Sequence, residues 1–454
     1  MGERDTVEGD HDTSGEGAAP ATAPIDPAAV PTATSPLGVA DSLTIRSEAA
    51  AAVGSELLSG GMASYRVKVA MTRTARALGL DSFTSIVTYT DITATATLNG
   101  RYRTRITQPQ HVGVDVDHLY RTQRMVETLP ERGTTAAEVF EALARIRARG
   151  PLYSRPLNAL AAGIACAAFA FLNQAGIVEI LAVLVAATLG QAVRRVFQLR
   201  QWNHLLVTVI AAVVTAFLYI TVVGVPAQLG WIPPGNMGGY MASVLFLVPG
   251  FPMITGILDL VRSDFSAGVA RLTYAAMIIT AAAASLWTVS LAAGVRAQAA
   301  VPLGLSFELE LPLRAVATFI GVLGFAIIFN SPWKIALAAA AVSTVANSLR
   351  FLLTEAGIPV QLATLAATVL VGVTAYVIAR TVHVPRISIS VPAVVIMIPG
   401  YAMYTGFTML NSGDLAGSVL LLQEAVQTVL AAAFGLALAH LATSPAWRKV
   451  HQPH

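Results

Sequence analysis

Charged residues are scarce in this sequence. Asp, Glu, Lys and Arg make up only 12% of its 454 residues, and hydrophobic residues make up 55%. A soluble domain carries roughly 25% charged residues, so this composition excludes an ordinary soluble protein and predicts a membrane protein. The net charge of +3 is small and comes without long basic clusters, so nucleic acid is not an expected partner.

Cysteine and the short motifs of common enzymes are also lacking. The single cysteine, Cys166, excludes an intrachain disulfide and a cysteine-based metal cluster. The phosphate-binding loop of ATP-driven proteins is absent, and no serine has the context of a nucleophile elbow. The segment HVGVDVDH (111–118) offers His111, Asp115, Asp117 and His118, but nothing elsewhere completes a recognised metal spacing. We therefore predict no catalytic residue, no metal and no cofactor.

The N-terminal third of the chain differs from the rest. Residues 1–41 are rich in Ala, Pro, Thr and Gly and lack the basic and apolar parts of a signal peptide, which predicts a disordered tail. Residues 42–150 hold a large share of the charges and predict a small cytoplasmic α/β domain. Two helices, three strands and two more helices are expected, with the strands at 83–90, 92–98 and 101–107. Asn99-Gly100 is a strong hairpin signal between the last two strands.

Ten apolar stretches follow Pro156, several of them shorter than the ~20 residues that a perpendicular membrane helix needs. They lie at about 157–173, 177–193, 203–224, 238–258, 271–294, 313–330, 334–353, 360–379, 388–410 and 415–442. With both termini cytoplasmic, most Arg and Lys residues between the stretches are cytoplasmic, and the outer loops keep only Arg296, Arg314 and Arg350. This satisfies the positive-inside rule. The sequence thus predicts a mainly α, multi-pass protein of the cell membrane.

The membrane part repeats itself. Residues 247–260 read LVPGFPMITGILDL and residues 397–410, displaced by 150 positions, read MIPGYAMYTGFTML, with six of fourteen positions identical. The repeat divides the chain into five-span modules at 151–300 and 301–443, followed by a cytoplasmic tail at 444–454. Because five is odd, the second module enters the membrane in the opposite direction, which predicts an inverted repeat.

Each copy of the repeat places Pro-Gly inside an apolar stretch, at Pro249-Gly250 and at Pro399-Gly400. Proline removes a backbone donor and glycine adds freedom, so each helix should break there. Broken helices at matching places in two halves indicate the binding site of a secondary transporter. We expect the freed backbone groups, with Thr255 and Thr405 further along, to bind a small polar solute. A packing kink is the alternative.

Glu424 is an acidic side chain about ten residues into the last apolar stretch, beside Gln423. A carboxylate at that depth costs ~2.5 kcal/mol or more, so it usually faces a cavity and often handles protons. We predict that Glu424 is the proton carrier. A shallower position at the membrane surface is the alternative for Glu424, and it is the favoured interpretation of Glu179.

The segment GGMASYRVKVAMTRTARALGL (60–80), the Thr-rich hairpin and the duplicated PG…TG motif resemble the threonine/serine exporter family. The resemblance covers residues from about 42 to 443. It implies a cytoplasmic N-terminal domain and two five-span modules, here fused in one chain. It also implies proton-driven efflux of small amino acids, while split relatives are associated with dicarboxylate export.

The leading hypothesis is therefore a secondary transporter that exports L-threonine and L-serine by proton antiport, with a bilayer as its surroundings and a homo-oligomer left open. Pro249, Gly250, Pro399 and Gly400 would unwind the central helices. A dicarboxylate exporter is the nearest alternative, but a doubly charged anion would need a further buried Lys or Arg, and none is evident in the sequence. A membrane-anchored enzyme and a passive channel are further alternatives.

Overall fold

The computed structural model describes residues 38–109, 113–231, 238–294, 304–382, 384–410 and 413–448. Most of the predicted disordered tail, together with His111, lies outside these residues. Residues 38–41 were assigned to that tail, but they are helical and begin the first helix of the N-terminal domain.

The N-terminal domain has the predicted order of elements. Its described elements are α1 (Gly38–Ser59), α2 (Ser64–Ala77), β1 (Ser82–Val87), β2 (Ile92–Leu98), β3 (Arg101–Thr107), α3 (Val116–Thr128) and α4 (Ala136–Arg147). The strands pair antiparallel in the order β1-β2-β3, so the three predicted strands and the hairpin between the last two are confirmed. Alternate residues of β2 from Ile92 to Leu98 are buried. This alternation gives the sheet one buried face, as a period of two requires.

The potential metal ligands of the 111–118 segment have other partners. Asp115 caps α3 by accepting the backbone N–H of His118 at 3.0 Å. Asp117 pairs with Arg121 at 2.7 Å, and the His118 ring lies 3.2 Å from Glu56. Among the described residues, no three His, Cys, Asp or Glu side chains converge as a metal site would require.

The rest of the chain is a bundle of apolar helices. The first module contains α5 (Arg155–Leu172), α6 (Ile177–Leu199), α7 (His204–Gln228), a 3₁₀ helix (Ala242–Leu247), α8 (Gly250–Val261) and α9 (Phe265–Ala292). The second contains α10 (Phe307–Ile328), α11 (Trp333–Glu355), α12 (Val360–Val382), α13 (Arg386–Val395), α14 (Gly400–Met409) and α15 (Leu415–Thr443), and the short α16 (Pro445–Arg448) follows.

The prediction of ten membrane spans is not confirmed. Eight helices within the described residues are long and apolar enough to cross a membrane, and the bent pair α13–α14, with an angle of 43°, makes a ninth if it counts as one span. The predicted span 238–258 is instead a 3₁₀ helix of six residues followed by the twelve-residue α8. Twelve residues of helix reach only about 18 Å, whereas the hydrocarbon core is about 30 Å thick.

The helix boundaries repeat between the modules. The second and third helices begin at Ile177 and His204 in the first module and, 156 residues later, at Trp333 and Val360. The short helix after the Pro-Gly motif and the last long helix recur at a displacement of 150 residues. The two modules therefore have the same order and nearly the same lengths of helices.

The first helices of the two modules run antiparallel against each other. A methyl group added at Gly321 would lie 3.3 Å from Ala168 Cβ, and one added at Gly324 would lie 2.7 Å from the Ala161 carbonyl. A later residue of α10 therefore contacts an earlier residue of α5. The absence of side chains at the two glycines permits this close approach.

The N-terminal domain packs on one end of the bundle, here named the near end. Asn330, just after α10, donates from its amide to both carboxylate oxygens of Asp115 at 3.0 Å and accepts the Leu152 N–H at 2.8 Å. Val116 N–H donates to the Phe329 carbonyl at 2.9 Å. These bonds place the beginning of α5 and the end of α10 at the near end. The beginning of α10 and the end of α11 accordingly lie at the opposite, far end.

Candidate functional site

Both Pro-Gly motifs form the same local structure. Pro249 has φ −81° and ψ 55°, and Pro399 has φ −79° and ψ 53°. The following glycine N–H donates to the carbonyl two residues before it, from Gly250 to Val248 at 2.9 Å and from Gly400 to Ile398 at 2.8 Å. Each proline is thus the centre of an inverse γ-turn, and a new helix begins at the glycine. The predicted helix breaks are present at both motifs.

The two breaks pack against each other. A methyl group added at Gly250 would lie 2.6 Å from Ile398 Cδ1, and one added at Gly400 would lie 2.8 Å from Leu245 Cδ2 and 2.9 Å from Val248 Cγ2. Each glycine therefore faces the residues just before the other motif's proline. The sequence predicted two breaks, and the structure brings them together at the contact between the modules.

The two threonines of the repeat have different environments. Thr255 is fully buried, donates from its hydroxyl to the Phe251 carbonyl at 2.9 Å and accepts from Arg271 at 3.4 Å. Thr405 is half-buried, and its buried hydroxyl oxygen has no hydrogen-bond partner among the described residues. The Thr405 hydroxyl lies next to the phenol of Tyr401 instead, so the two threonines are not equivalent in this conformation.

An arginine lies next to the first break. Arg194, on α6, donates to the carbonyl of Phe246 at 3.1 Å, at the end of the 3₁₀ helix. The phenol groups of Tyr274 and Tyr404 lie near its guanidinium. Tyr404 is fully buried, and its hydroxyl has no partner among the described residues. A cation and an unsatisfied phenol thus stand beside the break, where an anionic group would be stabilised.

Two other arginines are buried in the bundle, contrary to the expectation that no arginine is buried. Arg271 is 1% exposed and Arg386 is 6% exposed, although the positive-inside rule counted both as loop residues. A hydropathy pattern identifies the loops between helices but not the helix ends that fold back into a bundle. Neither buried arginine is placed at the breaks, since Arg271 pairs with Asp259 and Arg386 donates to Thr443 and the Gly372 carbonyl.

A buried ion pair joins the bundle to the N-terminal domain. Asp259, on α8, is fully buried and pairs with Arg271 Nε at 3.1 Å. The Asp259 carboxylate accepts the backbone N–H of Ser64 at 2.8 Å, at the start of α2, and Arg271 donates to the Met62 carbonyl at 2.7 Å. Asp259 therefore supplies the cap that α2 lacks in its own sequence, since N-cap Ala63 offers no side-chain oxygen. Sequence reasoning missed this contact because its members lie almost 200 residues apart.

The two candidate carboxylates have different environments. Glu424, on α15, is exposed on the surface of the bundle, and its role as a proton carrier stays a prediction. Glu179, assigned to the membrane surface by its place near the start of a span, is enclosed by protein and only 4% exposed; its depth in the membrane also stays a prediction. It accepts the N–H groups of Gly176 at 2.7 Å and Gly238 at 2.6 Å. Glu179 therefore serves as a buried cap at the start of α6.

Eight long apolar helices within the described residues, and two broken helices that meet between repeated modules, define a multi-pass membrane protein of the transporter class. Residues 48–293 match the family described as "Putative threonine/serine exporter", and residues 314–442 match "Threonine/Serine exporter, ThrE". The chain belongs to the threonine/serine exporter family and carries both parts in one polypeptide.

Curated relatives include two proteins named "Probable succinate transporter subunit YjjP". The one from Klebsiella aerogenes is 28% identical over 226 residues, which cover 50% of this chain and 85% of the relative. The one from Escherichia coli (strain K12) is 29% identical over 226 residues, which cover 50% of this chain and 86% of the relative. No solved structure matches this chain.

The contact between the breaks generates the first prediction. Gly250→Leu or Gly400→Leu should abolish transport, because a leucine side chain has no space beside Ile398 or Val248. Efflux and the amount of protein in the membrane should be measured together. Gly224→Leu is the matched control, since an added methyl group there meets only Ile220, at 4.0 Å. Normal efflux by both motif variants would reduce the Pro-Gly motifs to packing kinks.

The buried ion pair generates the second prediction. Asp259→Asn leaves the Arg271 charge buried without its carboxylate, which should cost about 3–5 kcal/mol of folding free energy. The variant should denature at lower temperature in detergent, and α2 should become sensitive to limited proteolysis. Glu141→Gln is the control, because Glu141 is 72% exposed and its pairing with Arg145 at 3.9 Å contributes little. Unchanged melting and proteolysis of Asp259→Asn would contradict the proposed importance of the ion pair.

Proposed function

We propose that this protein is a secondary transporter that exports L-threonine and L-serine from the cytoplasm, driven by the proton gradient. The observation that carries the proposal is the reciprocal contact of the two broken helices at Gly250 and Gly400. In transporters built from repeats, solute binds where such helices meet. Family membership supports the substrate class, since both matching descriptions name threonine and serine.

The chemistry of the breaks suits an amino acid. The beginnings of α8 and α14 carry the positive ends of two helix dipoles, which favour a carboxylate. The Tyr404 phenol lacks a hydrogen-bond partner among the described residues, and the Thr405 hydroxyl lies next to Tyr401; both would contact a polar solute that enters between the helices. Pro249 and Pro399 would keep the breaks in place, while Thr255 would contact solute only if its bond to Phe251 opens.

The membrane topology is part of the proposal. Antiparallel packing of α5 and α10, and equal helix order in the two modules, support an inverted repeat. Both termini would then be cytoplasmic, and the near end of the bundle, with the N-terminal domain, would face the cytoplasm. Rocking of one module against the other at the paired breaks would expose the solute to the two sides in turn.

Export of a dicarboxylate is the second candidate function. Arg194 beside the first break supplies a cation that a second carboxylate would need. The printed name of the two curated relatives also mentions succinate. Both candidates share a carboxylate that binds at the breaks, and they differ in whether the solute also carries an ammonium group.

The third prediction tests the substrate and the driving force together. Proteoliposomes that contain the purified chain should be loaded with L-threonine, L-serine or succinate, and solute movement should be followed with and without an imposed pH difference. We expect transport of the two amino acids against their gradient, and its loss when an uncoupler is added. Uphill transport of succinate alone would favour the second candidate. Transport that never exceeds equilibration would indicate a passive channel.

The fourth prediction concerns Glu424. Glu424→Gln keeps the size and most of the hydrogen bonding of the side chain but cannot release a proton. We expect it to eliminate uphill, uncoupler-sensitive export while leaving downhill exchange. Glu355→Gln, at the exposed end of α11, is the matched control. If Glu424→Gln builds the normal gradient at the normal rate, Glu424 is not the proton carrier.

A further inference from the structure

Two arginines converge at the far end of the bundle, on the first two helices of the second module. Arg314 of α10 and Arg350 of α11 lie over the ring of Phe351, with their guanidinium carbons 4.6 Å and 4.9 Å from its centroid. Arg314 also pairs with Glu310 at 2.6 Å. Two positive charges and one negative charge thus share a partly enclosed site, in which the Arg314 side chain is 16% exposed.

Buried polar side chains fix the position of Arg350. Its Nε donates to the Asn347 side-chain oxygen at 2.8 Å, and the Asn347 amide donates to the Thr318 hydroxyl at 2.9 Å. Asn347 and Thr318 are fully buried. The Nε of Arg314 is buried without a hydrogen-bond partner among the described residues. The hydrogen bond to Asn347 therefore fixes the Arg350 guanidinium, while the Arg314 Nε donor has no acceptor among the described residues.

A like-charged pair with spare donors favours an anion. Arginines inside membrane segments usually pair with an acidic side chain or a backbone carbonyl, or they line a substrate pathway, because an unpaired charge is costly there. The planar fork of arginine matches a carboxylate and can form two parallel hydrogen bonds. Glu310 neutralises only one of the two charges, so the site retains a need for one further carboxylate.

The first module carries a counterpart at the near end. A displacement of 156 residues relates Asn158 to Arg314, Gln191 to Asn347, Arg194 to Arg350 and Arg195 to Phe351. Here Arg195 Nε and the Gln191 amide both donate to the Asn158 side-chain oxygen, at 3.1 Å and 2.9 Å. Each cluster therefore combines two arginines with a buried amide network, although the second arginine occupies a different position of the repeat.

We propose that the pair Arg314–Arg350 binds the carboxylate of the transported solute at the far end of the bundle, and that Arg194 and Arg195 bind it at the near end. The proposal rests on the proposed function in one respect, which is that the solute passes between the near end and the far end of the bundle. The ligand chemistry is a carboxylate on a small molecule, which an amino acid and a dicarboxylate share. The two clusters act as entry and exit sites, and the near cluster extends to the first break through Arg194.

Chemical protection of the arginines tests the far site without any transport measurement. The full chain, purified in detergent, is treated with phenylglyoxal, and adducts are mapped by mass spectrometry. Succinate and L-threonine should each slow modification of Arg314 and Arg350 but leave exposed Arg380 unchanged. Neutral succinamide should give no protection. Equal protection by succinamide, or none by either carboxylate ligand, would overturn the proposal.

Equilibrium binding of radiolabelled succinate and L-threonine provides the fifth prediction. Arg350→Gln should weaken binding of the preferred ligand by about tenfold, the loss expected for one charge-assisted contact. Arg380→Gln should change binding by less than about twofold, as an exposed substitution does. Arg380 is a matched control because it also lies over a ring, that of Tyr376.

Two outcomes separate this proposal from the proposed function. Protection and binding without uphill transport would contradict the proposed function and support the site. Uphill transport with unprotected arginines and unaltered binding by Arg350→Gln would contradict the site alone. Arg350→Lys, which keeps the charge but not the planar fork, replaces the Gln variant if that variant does not fold, and intermediate weakening is expected.

Discussion

The contact between the two Pro-Gly breaks is the constraint on which the rest of the membrane part depends. Gly250 packs on Ile398 and Gly400 packs on Val248. Each broken helix is therefore packed against the residues that precede the proline of the other. Irregular backbone is tolerated inside a membrane only where protein or water satisfies it. The inverse γ-turns at the prolines satisfy one backbone donor at each break, and side chains of the opposing module pack against both glycines.

The N-terminal domain is fastened to both modules, and each attachment uses a buried polar side chain. Asp259 of the first module caps α2, while Asn330 of the second module binds the Asp115 carboxylate. Asp259 lies on α8, which begins at the break. A movement of this short helix would therefore displace the cap at the start of α2. The domain is thus connected to the short helix that follows the first break.

The positions of arginines inside the bundle follow the repeat, as the Pro-Gly motifs do. Arg194 and Arg350 occupy equivalent positions of the repeat at a displacement of 156 residues, and each lies close to a further arginine. Each of the two modules therefore contributes a pair of arginines to the bundle.

The sequence by itself determined the class of the protein, the three strands, the helix order and the two breaks. These follow from local properties: scarcity of charge, periods of two and of 3.6 residues, and the removal of a backbone donor at Pro249 and Pro399. Only the tertiary structure decided which polar groups are buried. Arg271 and Glu179 resembled loop and surface residues, yet both are enclosed, whereas Glu424 lies exposed on α15. Burial depends on how distant helices pack, and a contact such as Asp259–Ser64 across almost 200 residues leaves no local pattern.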